Sequence, residues 1–312
     1  MKKWMMLSII TAVLIALPCA IAYSLLKDSN MEAIAEPEVY FCPADDCASK
    51  LAEAIMESES HVDCAFYDLR HEKVIEALES RDSRLVLDDE AKYQGRKDDG
   101  SGLMHNKFCV IDDKVVATGS FNPTHNDNDR NNNNLIIIRS RLLADNYNKE
   151  FNELWEGRFR GGAKVRKEKV YLDGNMYENY FCPEDECEKH VIESLEKARE
   201  SVYFMAFSFT SKPILDFLIS NNGNLDIRGV IEKTQNSEWC VFDAMNESGM
   251  NVRLDKNPKN MHHKVFIIDR SIVILGSYNP TKSGNERNDE NILIIHDKEI
   301  ADRFVEEFER VW

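Results

Sequence analysis

The chain has 312 residues, 43% hydrophobic and 30% charged, with a formal net charge of -16 and a pI near 5.0. That length suits two ordinary domains or one two-lobed body, and the composition that of a soluble globular protein. The acidic surplus counts against tight binding of polyanions through the bulk field, though a basic cleft stays compatible with it.

Lys2 and Lys3 precede an apolar run at 4–26 that is broken only by Ser8, Thr11, Pro18 and Ser24. Residues 1–30 therefore read as an uncleaved membrane anchor, or as a secretory signal cleaved at Ala20-Ile21-Ala22. Either places the body outside the cytoplasm, anchored or secreted, because the lysines hold the N-terminus inside. Residues 27–38 read as a polar spacer.

A first half is expected over 39–156. It opens on a short strand ending in Cys42-Pro43-Ala44-Asp45-Asp46-Cys47, with Pro43 at the first helical position and the acids at the helix N-terminus. A helix at 44–57, a strand at 62–67, a helix near 71–80 and a strand at 84–87 follow. A polar loop fills 88–102, with Asp88, Asp89, Glu90, Asp98 and Asp99 near the mouth of any site that follows. A linker over 157–170 carries Arg158, Arg160, Lys164, Arg166, Lys167 and Lys169. It reads as a solvated connector, or as a contact for anionic lipid heads or a nucleic-acid backbone.

The second half, 171–312, reuses the plan. Tyr180-Phe181-Cys182-Pro183 begins it, with a helix at 184–199, a strand at 202–207, a helix at 212–220 and a strand at 227–231. Cys182 to His262 is 80 residues against 63 from Cys42 to His105, so this half carries 17 more. They are assigned to a helix near 238–248 and a strand at 251–254. Alternating helix and strand patterns of these lengths imply βα units and a mixed sheet.

Each half then presents one motif. Met104-His105-Asn106-Lys107 leads to Asp112 and Gly119-Ser120-Phe121-Asn122-Pro123-Thr124; Met261-His262-His263-Lys264 leads to Asp269 and Gly276-Ser277-Tyr278-Asn279-Pro280-Thr281. Both are H-x-K-x4-D followed by G-S-x-N-P-T. The copies stay 157 residues apart from the histidines to Trp155 and Trp312. Residues two apart on a strand share a face, so each His and Lys point the same way. The glycine allows close backbone approach, and Ser and Asn bring polar groups beside them. The Asn/Asp-rich run at 126–134 reads as a polar loop.

These residues resemble the H-x-K-x4-D signature of the phospholipase D superfamily, over 39–312. The second half, with Phe207-Ser208-Phe209-Thr210, is especially similar to that superfamily's small single-motif bacterial endonucleases, which act as homodimers. The resemblance implies a two-lobed α/β fold with mixed sheets flanked by helices. It also implies a monomer with an internal pseudo-dimer and one site at the interface. One imidazole would attack phosphorus to form a phosphohistidine, and the other would protonate the leaving oxygen. Lys107, Lys264, Asn122 and Asn279 would neutralise the non-bridging oxygens, with Ser120 and Ser277 in support and no metal or other cofactor implied. Asp112 and Asp269 would orient the hairpins. In the family a Glu further along accepts from the catalytic His. The residue 28 after His262 is Glu290, and the residue 28 after His105 is Asn133. A carboxylate makes an imidazole more basic, so His262 is expected as nucleophile and His105 as acid. The substrate is a phosphodiester, with phospholipid favoured. A nuclease acting on DNA or RNA is the alternative, and a non-catalytic membrane-tethered binder a third reading.

Of the eight cysteines, Cys64 and Cys109 sit in apolar strands and read as inert core. Cys42–Cys47 and Cys182–Cys187 read as local disulfides, with a shared four-cysteine zinc site or free thiols as alternatives.

Overall fold

A computed structural model describes residues 30–312 apart from 99 and 238. The apolar segment read above as signal or anchor lies outside the described residues. Among those described, no helix is long and apolar enough to cross a membrane.

A two-residue strand, β1 (Met31–Glu32), comes first. The first half then runs β2 (Glu38–Cys42), α1 (Cys47–Met56), β3 (Val62–Phe66), α2 (Glu72–Glu79), β4 (Ser83–Leu87), β5 (Arg96–Lys97), β6 (Lys107–Ile111), β7 (Val115–Gly119), α3 (His125–Asp129), β8 (Asn133–Ile138) and α4 (Arg141–Trp155). After β9 (Lys169–Leu172), the second half runs β10 (Asn175–Cys182), α5 (Cys187–Leu195), β11 (Ser201–Ala206), α6 (Lys212–Asn221), β12 (Asp226–Ile231), α7 (Phe242–Glu247), β13 (Asn251–Leu254), β14 (Lys264–Ile268), β15 (Ile272–Gly276), α8 (Lys282–Glu286), β16 (Glu290–His296) and α9 (Lys298–Val311).

Two mixed sheets result. One has the order β2-β8-β7-β6-β3-β4-β5; the other places β10-β16-β15-β14-β11-β12-β13 in the same sequence, with β9 and β1 added at its β10 edge. The hairpin β6–β7 is antiparallel, whereas β3–β4 and β11–β12 are parallel and joined through α2 and α6. Each sheet buries one face under its own outer helices. The other faces meet in a shared core that includes Phe108, Tyr147 and Phe151 of the first half and Phe181, Phe304 and Phe308 of the second.

The long helices fill this middle layer. Leu143, Ala144, Tyr147, Phe151 and Leu154 of α4, and Ile300, Ala301, Phe304, Val305 and Phe308 of α9, recur at helical spacing and are buried. Each half sends one phenylalanine into the other. Phe181 of β10 lies 5.1 Å edge-on from Tyr147 and 6.4 Å from Phe108; Phe41 of β2 lies 5.0 Å edge-on from Phe304. The halves therefore share one hydrophobic core.

Several expectations are corrected. The described part of the spacer at 27–38, residues 30–38, is docked: β1 pairs parallel with β9, and the Glu32 carboxylate accepts from Ser140 Oγ, Arg141 N and Leu142 N at the start of α4. The linker is docked too. Arg160 Nη1 lies 2.5 Å from the buried Asp98 carboxylate, and Val165 is buried. Pro43 and Pro183 do not open the helices. The bridged turns delay the start to Cys47 and Cys187, after Asp46 and Glu186 in left-handed backbone (φ 43° and 57°). The loop at 88–102 contains β5, and Asp88 is buried rather than at a mouth, accepting from Met104 N at 3.0 Å. The Asn/Asp run forms α3 and the start of β8, and Asn128 Oδ1 accepts from Ala48 N, tying it to α1.

Cys42–Cys47 and Cys182–Cys187 are disulfides, which removes the thiolates a zinc site would need. Cys64 and Cys109 are not free core thiols. They face each other on β3 and β6 and are bonded, with Cα atoms 4.1 Å apart. The same pairing position in the second half holds Phe204 and Phe266, rings 5.9 Å apart. Cys240 is free and buried.

A core shared across the seam should melt as one unit. Phe181→Ala is expected to cost about 3–5 kcal/mol while keeping a single denaturant transition by both fluorescence and circular dichroism. Two separated transitions in the parent chain would show that the halves fold independently.

Candidate active site

Hydrophobic pairing on the inner sheet faces carries the starts of β6 and β14 to the seam. Met104 bridges to Asp289 and Met261 to Asn132, so each motif is stitched to the other half. His105 N donates to Asp289 O and His262 N to Asn132 O, both at 2.9 Å. Asp88 and Glu232, just past β4 and β12, accept from Met104 N (3.0 Å) and Met261 N (2.7 Å), fixing the backbone before each histidine.

This stitching crosses the expected pairing. Glu290, the residue after Asp289, meets His105, not His262: its Oε2 accepts from His105 Nδ1 at 2.7 Å. His262 Nδ1 instead lies 2.8 Å from Asn133 Oδ1. Equal spacing along the chain had suggested pairing within a half. The strand ends at the seam point across it, so each supporting residue serves the opposite motif.

Both histidines are held with Nδ1 protonated and Nε2 bare. A carboxylate can only accept from Nδ1–H. Asn133 is oriented by its own bonds, since Ser120 Oγ donates to Oδ1 (3.1 Å) and Nδ2 donates to Asp127 O (3.2 Å). The histidines differ in charge environment. Burial lowers the His105 pKa and Glu290 works against that; His262 falls well below the ordinary imidazole value through burial and the nearby Lys264 and Lys107. Each lysine influences both histidines, placing both motifs in one electrostatic site.

Lys107 Nζ donates to His105 O at 2.6 Å, and Lys264 Nζ to His262 O at 2.7 Å. Both ammonium groups are buried. Desolvation pushes Lys107 down to about 8 and Lys264 well below its ordinary value. These two buried cations, their desolvation offset only in part by the Glu290 and Asp127 carboxylates, are suited to take a phosphate. Aromatic rings wall the site. Tyr67 stands 5.2 Å from the His105 ring, and Phe207 stands 4.6 Å from that of His262.

Other expected residues take different places. Asp112 and Asp269 follow the far ends of β6 and β14, five residues and about 17 Å of strand from the lysines. Asp112 accepts from Glu59 N, Ser60 N and His61 N; Asp269 accepts from Arg199 N, Glu200 N and Ser201 N. They pin a loop and do not touch the histidines. Ser120 and Ser277 are fully buried, Ser120 orienting Asn133 and each receiving the N–H of a strand residue, Asn134 or Asn291. Asn122 Nδ2 donates to Asp127, and Asn279 Oδ1 accepts from Ser208 N, so both amides brace loops.

Asp127 was missed. Its Oδ2 lies 3.7 Å from His262 Nδ1, so the carboxylate lacking at position 133 is partly replaced by one six residues earlier. Position 284, its counterpart 157 residues on, is glycine. Tyr67 and Phe207 were legible only as the ends of apolar strands.

Comparison with known proteins agrees with this geometry. The family model described as "Cardiolipin synthase, PLD-like domain" matches residues 83–155 and 191–312. The chain belongs to the phospholipase D superfamily. A phospholipase D of Rickettsia conorii is 30% identical over 128 residues, covering 40% of this chain and 64% of that protein. The human mitochondrial cardiolipin hydrolase is 36% identical over 130 residues, covering 39% of this chain and 49% of that one. The match thus spans less than two thirds of either relative. Phosphatidylserine synthase of Haemophilus influenzae shares the fold, at TM-score 0.66 and 12% identity over 87% of this chain and 86% of that one.

The crossed carboxylate makes a signed prediction. Glu290→Gln removes the charge that favours protonated His105, so the acidic limb of kcat/KM should move to lower pH while kcat falls about 10- to 100-fold. Asn133→Ala removes no charge and should leave that limb in place. In the parent chain kcat/KM, already declining above the lowered pKa of His262, should fall further as pH rises through about 8, where Lys107 loses its proton. A limb unmoved by Glu290→Gln would contradict the assignment.

Proposed function

We propose that the chain is a phosphodiesterase acting on phospholipid through a phosphohistidine on His105. The observation that carries this reading is the Glu290 carboxylate on His105 Nδ1, against an amide on His262. A nucleophile becomes cationic as its nitrogen bonds to phosphorus, and a buried carboxylate stabilises that charge. Expecting His262 as the nucleophile rested on pairing it with Glu290; the crossed contact supports His105 in that role instead.

The Nε2 lone pair of His105 forms an N–P bond while the P–O bond to the leaving alcohol breaks. His262, protonated at Nε2, gives that proton to the departing oxygen. The substrate's negative phosphate and Asp127, 3.7 Å away, favour the imidazolium that burial disfavours in the empty site. Water then attacks phosphorus, passing a proton to His262, and the N–P bond breaks to restore His105. Lys107 and Lys264 neutralise the non-bridging oxygens, a task metal ions perform elsewhere.

Lipid is favoured over nucleic acid on two grounds. The net charge of -16 gives the body no general attraction for a polyanion. Two relatives, 30% and 36% identical, are named phospholipase D and cardiolipin hydrolase. Three disulfides fit an oxidising compartment outside the cytoplasm, with the N-terminal segment as signal or anchor.

The full chain should be offered phosphatidylcholine, cardiolipin, single- and double-stranded DNA, and RNA. Release of phosphatidic acid or a lysis product from lipid alone is expected, with His105→Ala and His262→Ala each at least ~100-fold slower. Cleavage of DNA or RNA without lipid turnover would replace the substrate with nucleic acid. Inactivity on every diester would leave the binding-module reading.

A further inference from the structure

A cavity of about 470 Å3 lies beside the residues that support His262. Arg130, Asn132, Lys256, Asn257, Arg310 and Trp312 border it, on loops of both halves and at the end of α9. Asn132 ties it to the site. Its O accepts from His262 N at 2.9 Å, and the next residue, Asn133, holds His262 Nδ1. Asn132 is 6% exposed, and its Oδ1 accepts from Asn257 Nδ2 at 2.6 Å. Its Nδ2 has no acceptor among the described residues.

The matching place across the pseudo-twofold is filled. At the same 157-residue offset, Asn132 answers to Asp289, Asp255 to Asp98, Lys256 to Asp99 and Arg310 to Glu153. The backbone keeps this register too. Asp98 N donates to Leu87 O at the end of β4, and Asp255 N to Ile231 O at the end of β12. On the Asp98 side the linker docks as a cation. Arg160 N donates to Asp289 Oδ1, while the Arg160 guanidinium meets Asp98 at 2.5 Å and packs against Gly100. Arg158 lies 3.7 Å from Glu153.

The open cavity reverses those charges. An amide, Asn132, stands for Asp289, Lys256 for Asp99 and Arg310 for Glu153. Asp255 remains an acid, but its carboxylate is spent on its own loop. It accepts from Lys233 N at 3.0 Å and Asn257 N at 2.7 Å, with Lys233 Nζ 3.8 Å away. Glu307 takes Nε and Nη2 of Arg310 and leaves Nη1. The Trp312 main-chain oxygen accepts from Arg253 Nη1 at 3.1 Å. Arg130 and Lys256 pair with no carboxylate among the described residues. In a chain of net charge -16, two unmatched cations at one cavity reverse the local field.

We propose that this cavity binds a phosphate group, held by Arg130, Lys256 and Asn132 Nδ2. The guanidinium offers a planar fork of donors that matches phosphate oxygens, the ammonium a mobile point charge and the amide a directed hydrogen bond. Where the acidic counterpart takes the cationic linker, this side takes an anion. The site is distinct from the Lys107 and Lys264 pair that faces the reacting phosphorus. On the reading that His262 protonates the leaving oxygen, the cavity flanks the histidine toward which the alcohol departs. A diester whose leaving alcohol carries a second phosphate can then engage both places. Free inorganic phosphate offers the cavity the same chemistry.

Crystals of the full chain should be soaked in sodium tungstate, a phosphate mimic located by its anomalous signal. Two peaks are expected, one between Lys107 and Lys264 and one in the cavity. Arg130→Ala with Lys256→Ala, both exposed, should fold, keep the first peak and lose the second. No cavity peak in the parent, or an unchanged cavity peak in the variant, would overturn the proposal. A missing peak between the lysines would count against the proposed reaction and not against the cavity. Kinetics then separate the sources of the phosphate. If the substrate carries it, the double variant should raise KM for cardiolipin, with two phosphates, about tenfold more than KM for phosphatidylcholine, with one. An equal change for both lipids would assign the cavity to free phosphate. The tungstate result stands whether or not lipid is the substrate.

Discussion

The site depends on one buried contact, the 2.7 Å pairing of Glu290 with His105 across the seam. It cannot form unless both halves are folded and docked, because the carboxylate belongs to one and the imidazole to the other. The same contact fixes the His105 tautomer, leaves Nε2 bare and offsets the burial that would otherwise make the ring a weak base. Packing and chemistry therefore share a cause. The core that joins the sheets through Phe41, Phe181, α4 and α9 is what brings Asp289 against His105 and Asn132 against His262.

The halves share a strand order but not their charges. The supporting residue is a carboxylate for one histidine and an amide for the other, with Asp127 set further back on the amide side. The aromatic wall is Tyr67 on one side and Phe207 on the other. Away from the site, a disulfide in one sheet answers a phenylalanine pair in the other. Such differences suit a reaction in which one imidazole must attack and the other must donate a proton. Two identical environments would give both groups the same basicity.

Much of this was legible in the residues alone. Strand and helix positions followed from hydrophobic periodicity, and the extra helix and strand of the second half followed from its 17 additional residues. The two histidines and two lysines followed from the repeated motif. What failed turned on contacts that chain order does not show, first of all which half a strand end faces. Glu290 sits 28 residues after His262, yet serves His105. Asp112 and Asp269 share the motif with the lysines but are carried by the strand rise to the far end of the sheet. Asp127 and the buried asparagines lay in a run whose composition is that of a loop, and only their partners on α1 and β8 make it structure. Cys64 and Cys109 were paired by strand register, which no local spacing reveals.

The measurement that bears most directly on the crossed pairing is the site of the covalent intermediate. Single-turnover reaction of the full chain with a 32P-labelled diester, quenched and digested under alkaline conditions that preserve phosphohistidine, should place the label on the peptide carrying His105. Label on the peptide carrying His262 would contradict the account, because the attacking imidazole would then be the one that lacks the carboxylate.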